Sequence, residues 1–225
     1  MSKAPIAVAL DGPDHATIRR WAAAVAPSVS TLKVGLETFL RDGAAAIDAV
    51  RATDCQLFLD LKLHDIPNTV AGAARSIAHF APTYLTVHAL GGGDMIAAAA
   101  NELPATRVTA VTILTSMDEA ALRSIGIDDT ALDAAVRLAK LAVDAGARAI
   151  VCSPQEVAAI RAVVPTDIHL ITPGVRPAGS DAGDQKRIAT PEQAIKDGAD
   201  VVVIGRPITG AEDPARAAAA IGATL

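Results

Sequence analysis

The chain has 225 residues, of which 51% are hydrophobic and 20% charged, and its formal net charge is −5 at pH 7. A chain of this length and composition can bury a full core and is typical neither of disordered nor of membrane proteins. The acidic balance and the 2% aromatic content argue against nucleic-acid binding, which needs clustered Lys and Arg or aromatic side chains for stacking.

Nothing in the sequence predicts a targeting or membrane segment. The apolar run before Asp11 is too short for a signal peptide, and charges interrupt the Ala-rich stretches at helical spacing. Cys55 and Cys152 lie in apolar, strand-like contexts without metal-ligand spacing, so we expect both to be buried free thiols in a reducing compartment. We therefore expect a cytoplasmic protein with no membrane and no nucleic-acid partner.

Short runs rich in Ile, Val and Thr alternate along the chain with longer Ala-rich amphipathic stretches. Because β-branched residues favour strands, we predict eight of them, at Ile6–Asp11, Thr31–Gly35, Gln56–Leu63, Tyr84–Ala89, Arg107–Thr115, Ala149–Ser153, Ile168–Pro173 and Val201–Arg206. Because Ala favours helices, we predict helices between strands, for example at Ala16–Val25, Glu37–Arg51, Thr69–Phe80, Ala131–Ala145 and Pro154–Val163.

This alternation indicates an α/β fold, a single-domain (β/α)8 TIM barrel over residues 1–225, with a doubly wound sheet as the alternative. The chain contains no linker composition that would mark a second domain. The loops Ser116–Thr130 and Gly174–Ala189 are longer than the connections need. Long loops at the carboxyl end of a barrel are usually functional.

The most informative segment runs from Phe58 to Thr69 and places Asp60, Lys62 and Asp65 within six positions. Side chains alternate across a strand, so Asp60 and Lys62 share one face and the intervening leucines share the other. We expect the leucines to face the helices and the two charged groups to point into the barrel near its carboxyl rim. An ion pair that only closes the barrel end is the structural alternative.

Two more charged residues are expected beside this strand. Lys33 shares a strand face with Thr31, which would direct it inward on the second strand and so towards Asp60 on the third. Asp11 ends the first predicted strand and is expected next to Lys33 on the rim. A solvated carboxylate at a strand end is the alternative for Asp11.

Glycine and arginine residues follow the last two predicted strands, in the segments Thr172–Arg176 and Ile204–Pro207. Barrels often bind phosphate at the loops after strands seven and eight. Glycines let backbone N–H groups approach an anion closely, and Arg206 can add a bidentate charged contact. We therefore predict a phosphate site around Gly205 and Arg206.

Together these motifs resemble the orotidine 5'-phosphate decarboxylase family. The family signature Asp-x-Lys-x-x-Asp, continued by Ile-Pro-Asn-Thr, is present at Asp60–Thr69. The resemblance covers nearly the whole chain in the same order, through the Asp11 strand end and the segments Leu32–Gly35, Val87–Ala89, Val111–Ser116, Thr172–Arg176, Gly183–Gln185 and Val203–Ile208. It implies a barrel enzyme that converts orotidine 5'-phosphate (OMP) to uridine 5'-phosphate (UMP) in pyrimidine biosynthesis, with neither a metal nor an organic cofactor.

The resemblance also implies roles for individual residues. It implies a catalytic network of Lys33, Asp60, Lys62 and Asp65, with Lys62 as the proton donor. It implies substrate contacts at Asp11 and Lys33 near the ribose, at Thr115 and Ser116 near the pyrimidine, at Arg176, Gln185, Gly205 and Arg206 around the phosphate, and further at Asp60, Ile66, Thr69 and Pro173. Gln185 is expected on a loop that closes over the ligand. Asp65–Thr69 are expected to reach the site of the partner subunit, which implies a homodimer.

The implied reaction explains why charged residues are needed. Loss of CO2 from C6 of orotate leaves an electron pair in a ring-plane orbital that no adjacent carbonyl can delocalise. No cofactor motif is visible to accept that pair, so the site must stabilise a localised carbanion electrostatically. An ammonium on Lys62 close to C6 would do so and then donate the proton, held in place by Asp60 and Asp65.

Metal-dependent barrels with a similar strand are the nearest alternatives. A keto-gulonate phosphate decarboxylase uses Mg²⁺ to stabilise an enediolate, whereas here Lys62 supplies a cation from the chain itself. A ribulose-phosphate epimerase would need metal ligands, for which His64, His88, Asp60 and Asp65 can be considered. The Ile-Pro-Asn-Thr continuation favours the first family.

A non-catalytic module that binds nucleotide phosphate is an alternative of another class. Such a module would keep Gly205 and Arg206 but would have no need for Lys62 beside acidic residues. A barrel without any ligand would need neither set, and the complete charged set therefore favours an enzyme.

Overall fold

The computed structural model describes residues 3–176 and 189–225. Eight parallel strands form a closed barrel in chain order, and the last strand pairs with the first. The strands are β1 (Ala4–Ala9), β2 (Val29–Gly35), β3 (Gln56–Leu63), β4 (Tyr84–His88), β5 (Arg107–Val111), β6 (Ala149–Val151), β7 (His169–Thr172) and β8 (Val201–Ile204). The predicted (β/α)8 barrel is thereby confirmed, and the doubly wound alternative is wrong.

Helices cover the outside of the barrel. In the described ranges they are α1 (His15–Val25), α2 (Leu36–Asp42), α3 (Ala44–Arg51), α4 (Pro67–Ile77), α5 (Gly93–Glu102), α6 (Glu119–Ser124), α7 (Ala131–Asp144), α8 (Val157–Arg161), α9 (Pro191–Lys196), α10 (Arg206–Thr209) and α11 (Pro214–Gly222). Asp14, Asp118 and Thr130 each accept a hydrogen bond from a backbone N–H in the first turn of the helix that follows, which fixes where those helices begin. Among the described helices, none is both long and apolar enough to cross a bilayer.

Several predicted boundaries are wrong, each for a local reason. The helix predicted over Glu37–Arg51 is two helices, because Gly43 has φ +56° between them, a conformation that ends a regular helix. The first strand stops at Ala9 and the fifth at Val111, so Asp11 and Thr115 lie on the loops that follow. Arg206 begins α10 instead of ending β8.

The core has two layers, one inside the barrel and one between the barrel and its helices. Inside, Phe58 and Tyr84 pack edge to face with ring centroids 5.5 Å apart, and Tyr84 is hydrogen-bonded through its hydroxyl to His169 Nδ1 at 2.9 Å. Outside, Leu59 is fully buried, and Leu61 and Leu63 pack against the same cluster. The interior is therefore filled at the level of Phe58 and Tyr84, below the carboxyl ends of the strands.

Candidate active site

A cavity of about 690 Å³ opens at the carboxyl ends of the strands. Ten residues predicted from the sequence line it: Asp11, Lys33, Asp60, Lys62, Thr115, Ser116, Pro173, Arg176, Gly205 and Arg206. Among the residues named as its lining, four side chains are cationic and two are anionic, a formal surplus of two positive charges in a chain whose net charge is −5. The cavity therefore favours an anionic ligand.

A chain of ion pairs crosses one side of the cavity. Lys62 Nζ donates to Asp60 Oδ1 at 2.7 Å, and Lys33 Nζ lies 3.2 Å from Asp60 Oδ2. Lys33 Nζ also lies 3.8 Å from Asp11 Oδ2. The predicted proximity of Lys33 to Asp60 and of Asp11 to Lys33 is confirmed, and so is the inward direction of Asp60 and Lys62.

Lys33 and Asp60 are the members most withdrawn from water, with 9% and 13% of their side chains exposed. Asp60 is the acid that both lysines share. Burial by itself would raise the pKa of this carboxyl, but the charges of Lys33 and Lys62 and their hydrogen bonds outweigh burial and lower the pKa from 3.8 to about 2. Asp60 is therefore ionised at every pH at which the protein is expected to work.

The backbone of β3 is irregular where it carries these groups. Lys62 has φ +48°, a left-handed conformation that costs a non-glycine residue about 1–2 kcal/mol. The pairing of β3 with β4 passes from Leu59↔Leu85 directly to Leu63↔Val87, so three residues of β3 lie opposite one residue of β4. Bulges of this kind redirect side chains next to functional sites.

Gly35 has no side chain, which leaves space for the ion pair between Asp11 and Lys33. A Cβ at this position would lie 2.8 Å from Asp11 Oδ1 and 2.9 Å from Lys33 Nζ. The glycine follows Val34 at the end of β2, where the sequence indicated only the end of a strand. The sequence around Gly35 does not show its contribution to the site, because that contribution depends on Asp11, which follows the neighbouring strand β1.

The phosphate residues predicted from the sequence follow β7 and β8, and β8 pairs with β1. Gly205 links β8 to α10, and Arg206 is the first residue of that helix. Arg176 is half-buried, and its Nη1 donates to the carbonyl of Val175 at 2.9 Å. Gln185, predicted to close over the ligand, lies outside the described residues.

The remaining wall of the cavity is mostly apolar. Thr115 is buried and Ser116 is exposed at the rim, while Ile113, Val151 and Cys152 also line the space. Cys152 is buried as predicted, but its place in the cavity wall was not. The prediction that Cys55 is buried is wrong, since it is only partly covered.

The segment Asp65–Thr69 is the part of the predicted site that does not reach the cavity of its own chain. Asp65, Ile66 and Thr69 are exposed, and the Asp65 carboxylate accepts a hydrogen bond from the backbone N–H of Ile66 at 2.7 Å. Among the ion pairs of the described ranges, none includes Asp65. Within one chain, Asp65 therefore does not flank Lys62, because it turns outward before the start of α4. The expected contribution of Asp65 to the partner's site stays a prediction.

The histidines considered as metal ligands lie near each other at the rim. The rings of His64 and His88 are 5.5 Å apart, and burial, His64 and Lys62 lower the pKa of His88 below its ordinary value of 6.5. In the described part of the chain, no three or more His, Cys, Asp or Glu residues are grouped so that they could hold a metal ion.

Comparison with known proteins places this site in a family. Residues 4–221 match the model of the family described as Orotidine 5'-phosphate decarboxylase / HUMPS family. The chain belongs to this family.

Relatives in the orotidine 5'-phosphate decarboxylase family match over nearly their full length. The chain is 66% identical over 223 residues to the orotidine 5'-phosphate decarboxylase of Thermobifida fusca (strain YX), covering 99% of this chain and 96% of the relative. It is 55% identical over 241 residues to that of Frankia casuarinae, covering 99% and 88%. The crystal structure of orotidine 5'-phosphate decarboxylase from Lactobacillus acidophilus superimposes with a TM-score of 0.85 at 35% identity, covering 99% of both chains.

The depressed pKa of Asp60 makes its contribution to stability depend on pH. Its folded-state pKa of about 2 lies below the ordinary 3.8, so the contribution is present above about pH 4 and is lost as the pH falls towards 2. We expect Asp60→Asn to destabilise the protein by a constant amount between about pH 7 and 5, and the difference from the wild type to shrink by roughly 2 kcal/mol below pH 4.

Urea unfolding of both proteins at several pH values measures this difference. Asp48→Asn, at an exposed position on α3, is the matched control and should follow the wild type throughout. Parallel curves for Asp60→Asn and the wild type down to pH 3 would contradict the ion-pair account.

Proposed function

We propose that the chain decarboxylates OMP to UMP and CO2 in pyrimidine biosynthesis. The observation that carries the proposal is a lysine ammonium, Lys62, held 2.7 Å from Asp60 in a cavity that also contains Gly205 and Arg206, within a chain of the orotidine 5'-phosphate decarboxylase family. The formal positive surplus of this cavity suits a ligand with both a phosphate and a carboxylate.

Lys62 is the proposed proton donor. The bond between C6 and the carboxylate breaks, CO2 departs, and the electron pair stays on C6 in the plane of the ring. The Lys62 ammonium stabilises this developing charge and transfers one proton to C6 to give UMP. The neutral amine then regains a proton from water, and neither an oxidant nor a reductant is required.

Asp60 and Lys33 hold the donor in position. Asp60 binds both lysines, so the Lys62 ammonium has little freedom to turn away from the cavity. Because the residues are fixed before the substrate arrives, the charge needs little reorganisation during the reaction. Asp11 contacts Lys33 and is proposed to bind the ribose together with it.

The phosphate is proposed to bind at Gly205, Arg206 and Arg176, with Gln185 as a further ligand. These groups are remote from C6, so their contribution to catalysis is binding energy realised at the transition state. Thr115, Ser116 and Pro173 line the same cavity and are proposed to contact the pyrimidine.

A homodimer is proposed because one chain leaves Asp65 and Ile66 of the signature segment outside its own cavity. Asp65 is exposed, and Ile66 next to it has 66% of its surface exposed. In a dimer with two-fold symmetry, this segment of each chain can complete the site of the other. We further propose that the enzyme acts in the cytoplasm, without nucleic-acid or membrane partners.

The reaction is tested by the loss of OMP absorbance. We expect the wild-type protein to convert OMP to UMP at an undiminished rate after exhaustive treatment with EDTA, whereas a metal-dependent relative would lose activity. Lys62→Ala should remain folded and lose turnover, because it removes both the proposed proton donor and the charge proposed to stabilise C6. Lys140→Ala, at an exposed position on α7, is the control. Substantial decarboxylation by Lys62→Ala would remove the proposed proton donor.

Arg206→Ala tests the phosphate site. Loss of a charged contact to the phosphate should raise the free energy of the transition state by about 2–4 kcal/mol and lower kcat/KM for OMP accordingly. Steady-state kinetics measure this change. The control is Arg216→Ala, which removes an exposed arginine from α11. Unchanged kinetics in Arg206→Ala would exclude this residue as a phosphate ligand.

The contribution of Asp65 to the partner's site is tested by mixing two inactive variants, Lys62→Ala and Asp65→Ala. In a mixed dimer one site has both defects and the other has neither, so an equimolar mixture after subunit exchange should recover about a quarter of the wild-type activity. Activity is measured before and after exchange, and dimerisation by analytical ultracentrifugation. No recovery in a mixture shown to contain mixed dimers would contradict the shared site.

A further inference from the structure

Thr86 lies inside the barrel on β4 and is fully buried. Its Oγ1 accepts a hydrogen bond from the backbone N–H of Lys62 at 2.8 Å and donates one to Asp60 Oδ1 at 3.0 Å. The hydroxyl therefore contacts both residues of the proposed proton-donating pair. Thr86 is not among the residues that line the cavity, so it acts on these residues and not on a ligand.

The position of Thr86 in the sheet explains these contacts. It is the residue of β4 between Leu85 and Val87, opposite the three residues of β3 that form the bulge. In a regular parallel ladder, the N–H of Lys62 would be bonded to a carbonyl of the neighbouring strand. Here the backbone of Lys62 is left-handed, and the Thr86 hydroxyl takes the place of that carbonyl.

We propose that Thr86 is a positioning residue for decarboxylation, whose hydroxyl holds the backbone of Lys62 and the carboxylate of Asp60 in the arrangement that aims the Lys62 ammonium into the cavity. This inference depends on the proposed function. A threonine in a strand has few accessible rotamers, so its hydroxyl is fixed before the two hydrogen bonds form. One oxygen thereby couples the bulge of β3 to the orientation of the acid.

The experiment compares Thr86→Val with Thr86→Ser. Valine keeps the shape of threonine and removes the hydroxyl, whereas serine keeps the hydroxyl. The matched control is Thr109→Val, since Thr109 is fully buried on β5 directly beside Thr86 and its hydroxyl bonds to the carbonyl of Arg107 at 2.8 Å, away from the charged pair. For each variant, kcat and KM for OMP, the dissociation constant of UMP and the thermal unfolding midpoint are measured.

We expect Thr86→Val to lose about 100-fold in kcat, the scale of a displacement of reacting groups by 1 Å, with little change in the affinity for UMP. Thr86→Ser should recover most of this loss, and Thr109→Val should keep the wild-type kcat at a comparable cost in stability. A wild-type kcat in Thr86→Val would overturn the inference. So would a Thr86→Ser variant as slow as Thr86→Val, or an equal loss of kcat in Thr109→Val.

The wild-type assay separates this inference from the proposed function. If the wild-type protein does not convert OMP, the proposed function is wrong, and the positioning inference is wrong with it. If the wild-type protein converts OMP and Thr86→Val is equally fast, only the positioning inference is wrong. Binding of UMP by Thr86→Val shows that this variant has folded, so a low kcat cannot be attributed to unfolding.

Discussion

The shared carboxylate of Asp60 is the interaction on which the site depends. Lys33 and Lys62 approach its two oxygens from different strands, and without it two like charges would face each other in a confined space. In turn, a carboxylate this withdrawn from water could not remain ionised without its lysines. Each of the three groups is therefore stabilised by the others, and the barrel brings them together from two neighbouring strands.

The register of the parallel strands β2 and β3 brings these three side chains together. Lys33 is level with Phe58 on the neighbouring strand, and Gly35 is level with Asp60, so the lysine stem must extend towards the carboxyl end to reach the acid. The aromatic layer of Phe58 and Tyr84 closes the barrel interior below. The charged groups are thus supported from beneath by a packed core, which limits the directions in which they can move.

Periodicity and motif order were enough to predict the barrel, the inward face of β3 and the neighbours of Asp60, because alternation along strands and adjacency between them follow from simple geometry. Local backbone conformation could not be predicted in the same way. A positive φ at Lys62 is contrary to the preference of lysine, and the backbone N–H of Lys62 is bonded to the hydroxyl of Thr86 on another strand. The direction of Asp65 likewise depends on where β3 ends and α4 begins.

The left-handed backbone at Lys62 has a consequence for protein engineering. Introducing the Asp-x-Lys motif into a strand of an unrelated barrel would reproduce the charges but not their geometry. In a regular strand the lysine would have an ordinary extended backbone. A successful transplant would have to include the two extra residues in the β3 ladder and a hydroxyl on the adjoining strand. The geometry of this site therefore depends on two neighbouring strands and not on a short sequence motif.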